Sequence, residues 1–492
     1  MKRSSGVLLH ISSLPSDYGI GTLGKEAYNF VDTLKKAGQS YWQILPIGPT
    51  SFGDSPYQSF SSYAGNPYFI DLDILVEEGL LIKKDLKEIK VVDENNVDYG
   101  YLYETRLNIL YKAYLNGIQI DRNKLEQFIF DNPKLKDYAF FMALKENFGM
   151  VSWNEWPDND IRKRRKEAID KYSELLNERI EFYEYIQFLF FKQFYNLKKY
   201  MNDKGIKLIG DIPIYVSYDS CDCWMNPEYF ELDEDLIPTS VAGCPPDYFT
   251  ADGQLWGNPL YNYSKMKEDG YKWWIERIGI NTKFFDVIRI DHFRGFESYW
   301  SVPYRDETAR NGKWIKGPNM ELLNIFKNWF YGTEFIVEDL GYHTPEVQKM
   351  LDDFGYPGMK VLEFGFDSRE ESNHAPEFCK ENSICYVGTH DNSTIMGWLT
   401  AANKDDVKCA LKYLNTRTTK DFNWKMIKVG MKTKSVIFVC QLQDYLGLDD
   451  SARMNTPGTF GNNWKWRMNK KSINNRLIKR IRNITIENER CY

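Results

Sequence analysis

Short apolar runs that end in polar or charged residues recur along the chain. Eight stand out: GVLLHI (6–11), YWQILPI (41–47), IKLIGDIPI (206–214), DVIRIDHF (286–293), EFIVEDLG (334–341), MKVLEF (359–364), CYVGTHD (385–391) and SVIFVCQLQDYLG (435–447). Several follow a helical pattern. In GKEAYNFVDTLKKAGQ (24–39), Ala27, Phe30, Val31 and Leu34 fall at helical spacing and Gly38 supplies a stop. TPEVQKMLDDFG (344–355) repeats the design, with Thr344 as N-cap and Pro345 at the first helical position. Helix then strand, repeated, predicts parallel strands joined by crossover helices. Eight such units predict an α/β fold, a (β/α)8 TIM barrel with large helical insertions. A doubly wound open sheet is the alternative. It usually brings a glycine-rich phosphate loop after the first strand, and SSLPSDYGIGTLG is a poor version of one.

The runs are unevenly spaced. Between the second and third, about residues 75–205, the pattern is helical and rich in Leu, Phe and Tyr, as in RLNILYKAYLNG and YAFFMALKENFG. A helical subdomain inserted into a single catalytic barrel of residues 1–492 accounts for it. About residues 220–265 differ: CPPDYFTADGQLWGNPLYNY crowds Pro, Gly, Asp and Asn together and predicts a long irregular loop over the active site. In the basic C-terminal stretch, Ile473, Leu477, Ile481 and Ile484 fall at helical spacing, which predicts an amphipathic helix with its charges in solvent.

Composition narrows the function classes. Among 492 residues the hydrophobic share is 43%, the charged share 27% and the net charge −6, so no basic excess is available to neutralise phosphates and nucleic acid is not an expected partner. The N-terminus lacks a signal-peptide pattern and no apolar stretch has membrane-spanning length, so the expected compartment is the cytoplasm, with no membrane partner. Eight cysteines do not make a disulfide scaffold. Cys221 and Cys223 form a C-x-C pair without a second pair, which predicts free thiols and not a zinc site. Aromatic residues reach 16%; they suit either a large core or a surface for the C–H faces of sugars.

The chemistry starts from DVIRIDHFRG (286–295). Arg289 and Asp291 are two residues apart, so both leave the same face of a strand. Other runs also end in acids: Asp211, Glu338 with Asp339, and Asp391. Closing the barrel brings these strand ends to one rim, where reacting groups of such folds lie. Converging carboxylates with an arginine, two histidines and aromatics suit glycosidic-bond chemistry, which needs a nucleophile or base and a protonated acid. A third anion favours the positive charge that develops on the sugar. Arg289 would keep Asp291 ionised, and Glu338, crowded by like charges, would hold its proton. Each residue taken alone has a plainer reading. Asp291 and Arg289 make a buried ion pair, Glu338 and Asp339 cap a helix, Asp391 and Asn392 close a turn, and His292 is a core histidine. A metal site built from the acids lacks any close ligand spacing.

RIDHFRG (289–295), EDLG (338–341), THDN (389–392) and GDIPIYVSYDS (210–220) together resemble the four short regions of the α-amylase clan. SPYQSFSSYAGNPYFIDL (55–72), PPDYFTADGQLWGNPLY (245–261) and GTFGNNWKWR (458–467) are more specific and resemble the 4-α-glucanotransferases called amylomaltase or disproportionating enzyme, over nearly the whole chain. The resemblance implies Asp291 as nucleophile, Glu338 as acid/base and Asp391 as transition-state stabiliser. It implies substrate-binding positions at Arg289, His292, His390, Tyr57, Asp211, Trp256, Asp247 and Asn258. It also implies no metal or other cofactor, and malto-oligosaccharides and related α-1,4-glucans as substrates. A hydrolase of the same clan and a non-catalytic glucan-binding barrel are the rival readings.

Overall fold

The computed structural model describes residues 1–91, 93–246, 250–459 and 461–491. Each of the eight apolar runs contributes one strand to a single parallel sheet: Ser4–Leu8, Tyr41–Gln43, Lys207–Ile212, Val287–Ile290, Glu334–Val337, Gly358–Val361, Ser383–Tyr386 and Ile437–Gln441. The first pairs with both the second and the eighth, and pairing continues in sequence order on either side to the fifth and sixth. There the sheet closes. Val337 N–H donates to Pro357 C=O (3.0 Å), and Met359 N–H donates to Asp339 Oδ1 (2.6 Å). Gly358 permits that closure, because a Cβ there would lie 2.5 Å from Asp339 Oδ2. In every run the apolar residues outlast the strand, and most of the surplus stays buried beyond its end, as at Leu9, Ile44, Phe293, Leu362 and Val387.

The helical expectations hold at residue level. Lys25–Lys36 buries Ala27, Phe30, Val31 and Leu34. Pro345–Phe354 starts at Thr344, whose hydroxyl accepts from Val347 N–H, and ends at Gly355 in the left-handed region (φ 80°). Between the second and third strands run the long helices Tyr99–Asp131, Pro133–Asn147 and Asn177–Asp203. They grip the chain that leaves the second strand. Gln187 bonds both N–H and C=O of Gly65 (2.8 and 2.9 Å), and Gln193 does the same for Asp71 (2.7 and 3.1 Å). Arg106 donates to the carbonyls of Tyr18 (2.7 Å) and Tyr68 (2.9 Å). The fully buried Lys145 ammonium reaches Asp219 (2.6 Å) beyond the third strand.

The 220–265 segment is not irregular throughout. It contributes Ser240–Cys244 and Gln254–Pro259 to a four-stranded antiparallel sheet completed by Ser298–Pro303 and Lys313–Lys316. The two strands pair with each other, and Ser240–Cys244 also pairs with Ser298–Pro303 some sixty residues downstream, so turn-forming composition dominates the local pattern while pairing beyond it completes the sheet. At the C-terminus the helix is Asn475–Glu487, burying Ile481 and Ile484 while Ile473 precedes it. Arg490 departs from the solvated role. It is buried and donates to the carbonyls of Ser4, Met431, Thr433 and Ser435. Cys221 and Cys223 are buried free thiols. Among the described residues no helix is long and apolar enough to cross a membrane.

Candidate active site

Arg289 and Asp211 sit opposite each other in the register of the fourth and third strands. The buried Arg289 Nη1 donates to Asp211 Oδ1 and Oδ2 (2.7 and 2.6 Å) and to Asp291 Oδ1 (3.0 Å). Tyr57 OH donates to Asp211 Oδ2 (2.8 Å). Exposure separates the two aspartates: the Asp211 side chain is 0% exposed, whereas Asp291 keeps 25% of its side chain open to the cleft. Asp211 is therefore an internal counter-charge, and Asp291 is the group a ligand can reach. Burial alone would favour loss of the Arg289 proton, but the two aspartates outweigh it and hold the guanidinium charged.

Glu338 follows the fifth strand, and its N–H donates to Ile290 C=O (2.9 Å), which sets it beside Asp291. Its two oxygens accept from His292 N–H and Leu340 N–H, each at 2.7 Å. Burial, aided by the Asp291 charge, pushes Glu338 up to about 8 despite those bonds. Burial also raises Asp291, to about 6, where Arg289 opposes the rise and Asp211 and Asp391 add to it. The two acids thus differ in acidity although they share one cleft. Asp339 points away into the barrel seam, and the helix cap belongs to Thr344, so neither acid caps a helix.

His292 takes a left-handed backbone (φ 47°) that turns its N–H toward Glu338, and its ring meets Trp256 edge-on at 4.8 Å. Burial, with Arg294 nearby, lowers it to about 3 and keeps it neutral.

Asp391 lies in the turn after the seventh strand. Asn392 Oδ1 accepts from Thr389 N–H (2.9 Å), so the expected turn exists and also carries the acid. Desolvation by the surrounding site would raise Asp391, although part of its side chain is exposed, but His390 at 3.3 Å and Asn455 Nδ2 at 2.6 Å bring it down to about 2. His390 is raised in turn, because Asp391 outweighs its burial. Its ring stacks on Tyr57 (5.1 Å, 14°), and Trp464 packs near both.

Eight of the expected residues therefore form one contact network: Asp211, Arg289, Asp291, His292, Glu338, His390, Asp391 and Tyr57. Trp256 joins it through His292. Asn258 does not present its amide to the cleft: Nδ2 donates to Val216 C=O (2.8 Å), and Oδ1 accepts from Gln58 (3.1 Å). Asp247 lies outside the described residues. Asn455 and Trp464 carry no signal in the sequence that marks them individually. The GTFGNNWKWR motif was legible, but nothing local to it pointed at Asp391. Among the described residues no group of three or more His, Cys, Asp or Glu is arranged to hold a metal ion.

This fold and this site define a (β/α)8-barrel enzyme with its carboxylates at the C-terminal rim. The chain belongs to the 4-alpha-glucanotransferase family, whose model matches residues 9–473, and it is a 4-α-glucanotransferase. It is 46% identical over 487 residues to the 4-alpha-glucanotransferase of Clostridium butyricum, covering 98% of this chain and 100% of that one. The Thermus thermophilus enzyme of the same description is 42% identical over 95% of each chain. Among solved structures, the amylomaltase from Streptococcus agalactiae in complex with acarbose superposes with a TM-score of 0.98, at 43% identity and over 100% of both chains.

Proposed function

We propose that the protein moves α-1,4-glucan segments between malto-oligosaccharides by a retaining double displacement, releasing glucose or short maltosaccharides. A carboxylate oxygen of Asp291 attacks the anomeric carbon, forming a glycosyl–aspartate ester. The C–O bond to the departing sugar breaks, and its oxygen takes the proton of Glu338. An acceptor 4-hydroxyl then attacks the same carbon, returns its proton to Glu338 and releases Asp291. Asp391 stays ionised and stabilises positive charge on the ring in both steps.

The observation that carries this reading is the split between adjacent acids: Asp291 is open to the cleft and held by Arg289, while Glu338 retains its proton to higher pH. Arg289 and Asp211 act from behind Asp291, and Tyr57, His390 and His292 line the sugar site. Transfer prevails over hydrolysis when sugar reaches the intermediate before water. We assign that exclusion to Trp256, Trp464 and the 220–265 segment on the acceptor side. Acarbose, bound by the Streptococcus agalactiae relative, is expected to occupy this cleft.

Incubation with maltotriose tests the reading. Glucose together with oligomers longer than three units is the expected outcome; products that only shorten would make it a hydrolase. Asp291→Asn is expected to abolish turnover and retain acarbose binding.

A further inference from the structure

We infer that Asn455 is a positioning residue for the reaction: its side-chain amide orients the carboxylate of Asp391. This rests on the role assigned to Asp391 above. Two chain segments meet at the rim: the turn after the seventh strand, which carries His390 and Asp391, and the stretch Arg453–Asn455 beyond the eighth. Four bonds brace them. Asn455 Nδ2 donates to Asp391 Oδ1 (2.6 Å), and Asn455 N–H donates to His390 C=O (3.1 Å). Arg453 donates to Asp391 C=O (2.6 Å) and to Ser393 Oγ (3.1 Å). Arg453 Nε also donates to Asn455 C=O (2.7 Å), which stiffens the brace itself.

The division of labour follows from the atoms. Arg453 and the Asn455 backbone hold the main chain of the turn. Among the described residues only the Asn455 amide bonds the carboxylate from that side, and His390 Nε2 holds the other oxygen at 3.3 Å. Both oxygens of Asp391 are thereby fixed, although its side chain remains 43% exposed. A freely rotating carboxylate at that exposure would average its charge over several directions. A fixed one is aimed before the sugar arrives, which is where electrostatic stabilisation gains its strength. The same stretch continues to Trp464, whose N–H donates to Met454 C=O (2.6 Å) and whose ring packs by His390 and Tyr57. The brace therefore joins the third acid to the aromatic wall.

The test compares Asn455→Asp, which keeps shape and volume but replaces the donor with a second carboxylate facing Asp391, with Asn455→Ala, which removes the donor without adding charge, and with Asp391→Asn. For Asn455→Asp, kcat on maltotriose is expected to fall about ten- to a hundredfold, the size of a lost hydrogen bond to a charged group. KM should stay within about twofold, because the interaction acts on the transition state. Acarbose affinity should fall in parallel with kcat/KM. Wild-type kcat in a folded Asn455→Asp protein, or a loss confined to KM, overturns the inference; so does failure of both Asn455 variants to fold, which would make the brace purely structural. If Asp391→Asn itself retains turnover, the role of Asp391 falls instead. If Asp391→Asn is dead while Asn455→Asp is normal, only the present inference falls.

Discussion

At the residue scale the site works through unequal treatment of chemically similar groups. Asp211, Asp291, Glu338 and Asp391 are all carboxylates near one arginine. Burial, contact with Arg289 and contact with His390 separate them. The active form has Asp291 ionised and Glu338 protonated. The kcat/KM profile is therefore expected to rise as Asp291 loses its proton near pH 6 and to fall as Glu338 loses its own near pH 8. Arg289→Met removes the cation that lowers Asp291, so the acid limb should move to higher pH. Breaking this buried pair should also cost about 3–5 kcal/mol in urea denaturation. An acid limb that stays in place would show that Arg289 does not tune Asp291. Much of this was legible from the i, i+2 spacing of Arg289 and Asp291, since strand geometry alone puts them on one face. Less legible was the contrast between Glu338 and Asp339. They are neighbours in sequence, yet one faces the cleft and the other the seam, and only the pairing of the fifth and sixth strands decides which. The surroundings of Asn258 were hard to read for a similar reason: a polar residue in a site motif can direct its amide to the scaffold.

At the element scale the eight strands were readable because parallel barrel strands are buried on both faces and appear as apolar runs. The sheet containing Ser240–Cys244 and Gln254–Pro259 was not, because these strands are short and glycine-bearing, their mutual pairing carries a register shift, and Ser240–Cys244 joins the rest of the sheet only through the distant Ser298–Pro303. The helices between the second and third strands were readable as helices, but their task was not. In the structure they supply Gln187, Gln193 and Arg106 to main-chain groups of the connection that also carries Tyr57. Gln187→Leu would leave the buried N–H and C=O of Gly65 without partners. A destabilisation of about 2–4 kcal/mol is expected in urea denaturation, the cost of two unpaired buried backbone groups. A loss below about 0.5 kcal/mol, the range of an ordinary surface substitution, would mean that the helices are not what holds this connection.

At the scale of the whole molecule, the burial that separates the site acids also sets how stability responds to pH. Asp444, just past the eighth strand, is a clear case because it lies outside the proposed chemistry. It is fully buried; Oδ1 accepts from Ile395 N–H (2.8 Å), and Oδ2 has no hydrogen-bond partner among the described residues. Burial, with Asp450 adding to it, raises Asp444 to about 7. In the unfolded chain the same group titrates near ~3.9. The folded state therefore binds the proton more tightly. The stability associated with it is complete below the unfolded value and is lost as pH rises toward and through about 7. Asp444→Asn mimics the protonated acid, keeps an acceptor for Ile395 and cannot ionise. The variant should gain on the wild type by a few kcal/mol between about pH 4 and pH 8, in line with ~1.4 kcal/mol for each tenfold difference in proton affinity between the folded and unfolded chain. Chemical denaturation at the two pH values measures this directly. Parallel stability curves for the two proteins would mean that Asp444 reaches water or a counter-charge when ionised, and that the alkaline loss arises elsewhere, with Asp291 and Glu338 the next groups to replace.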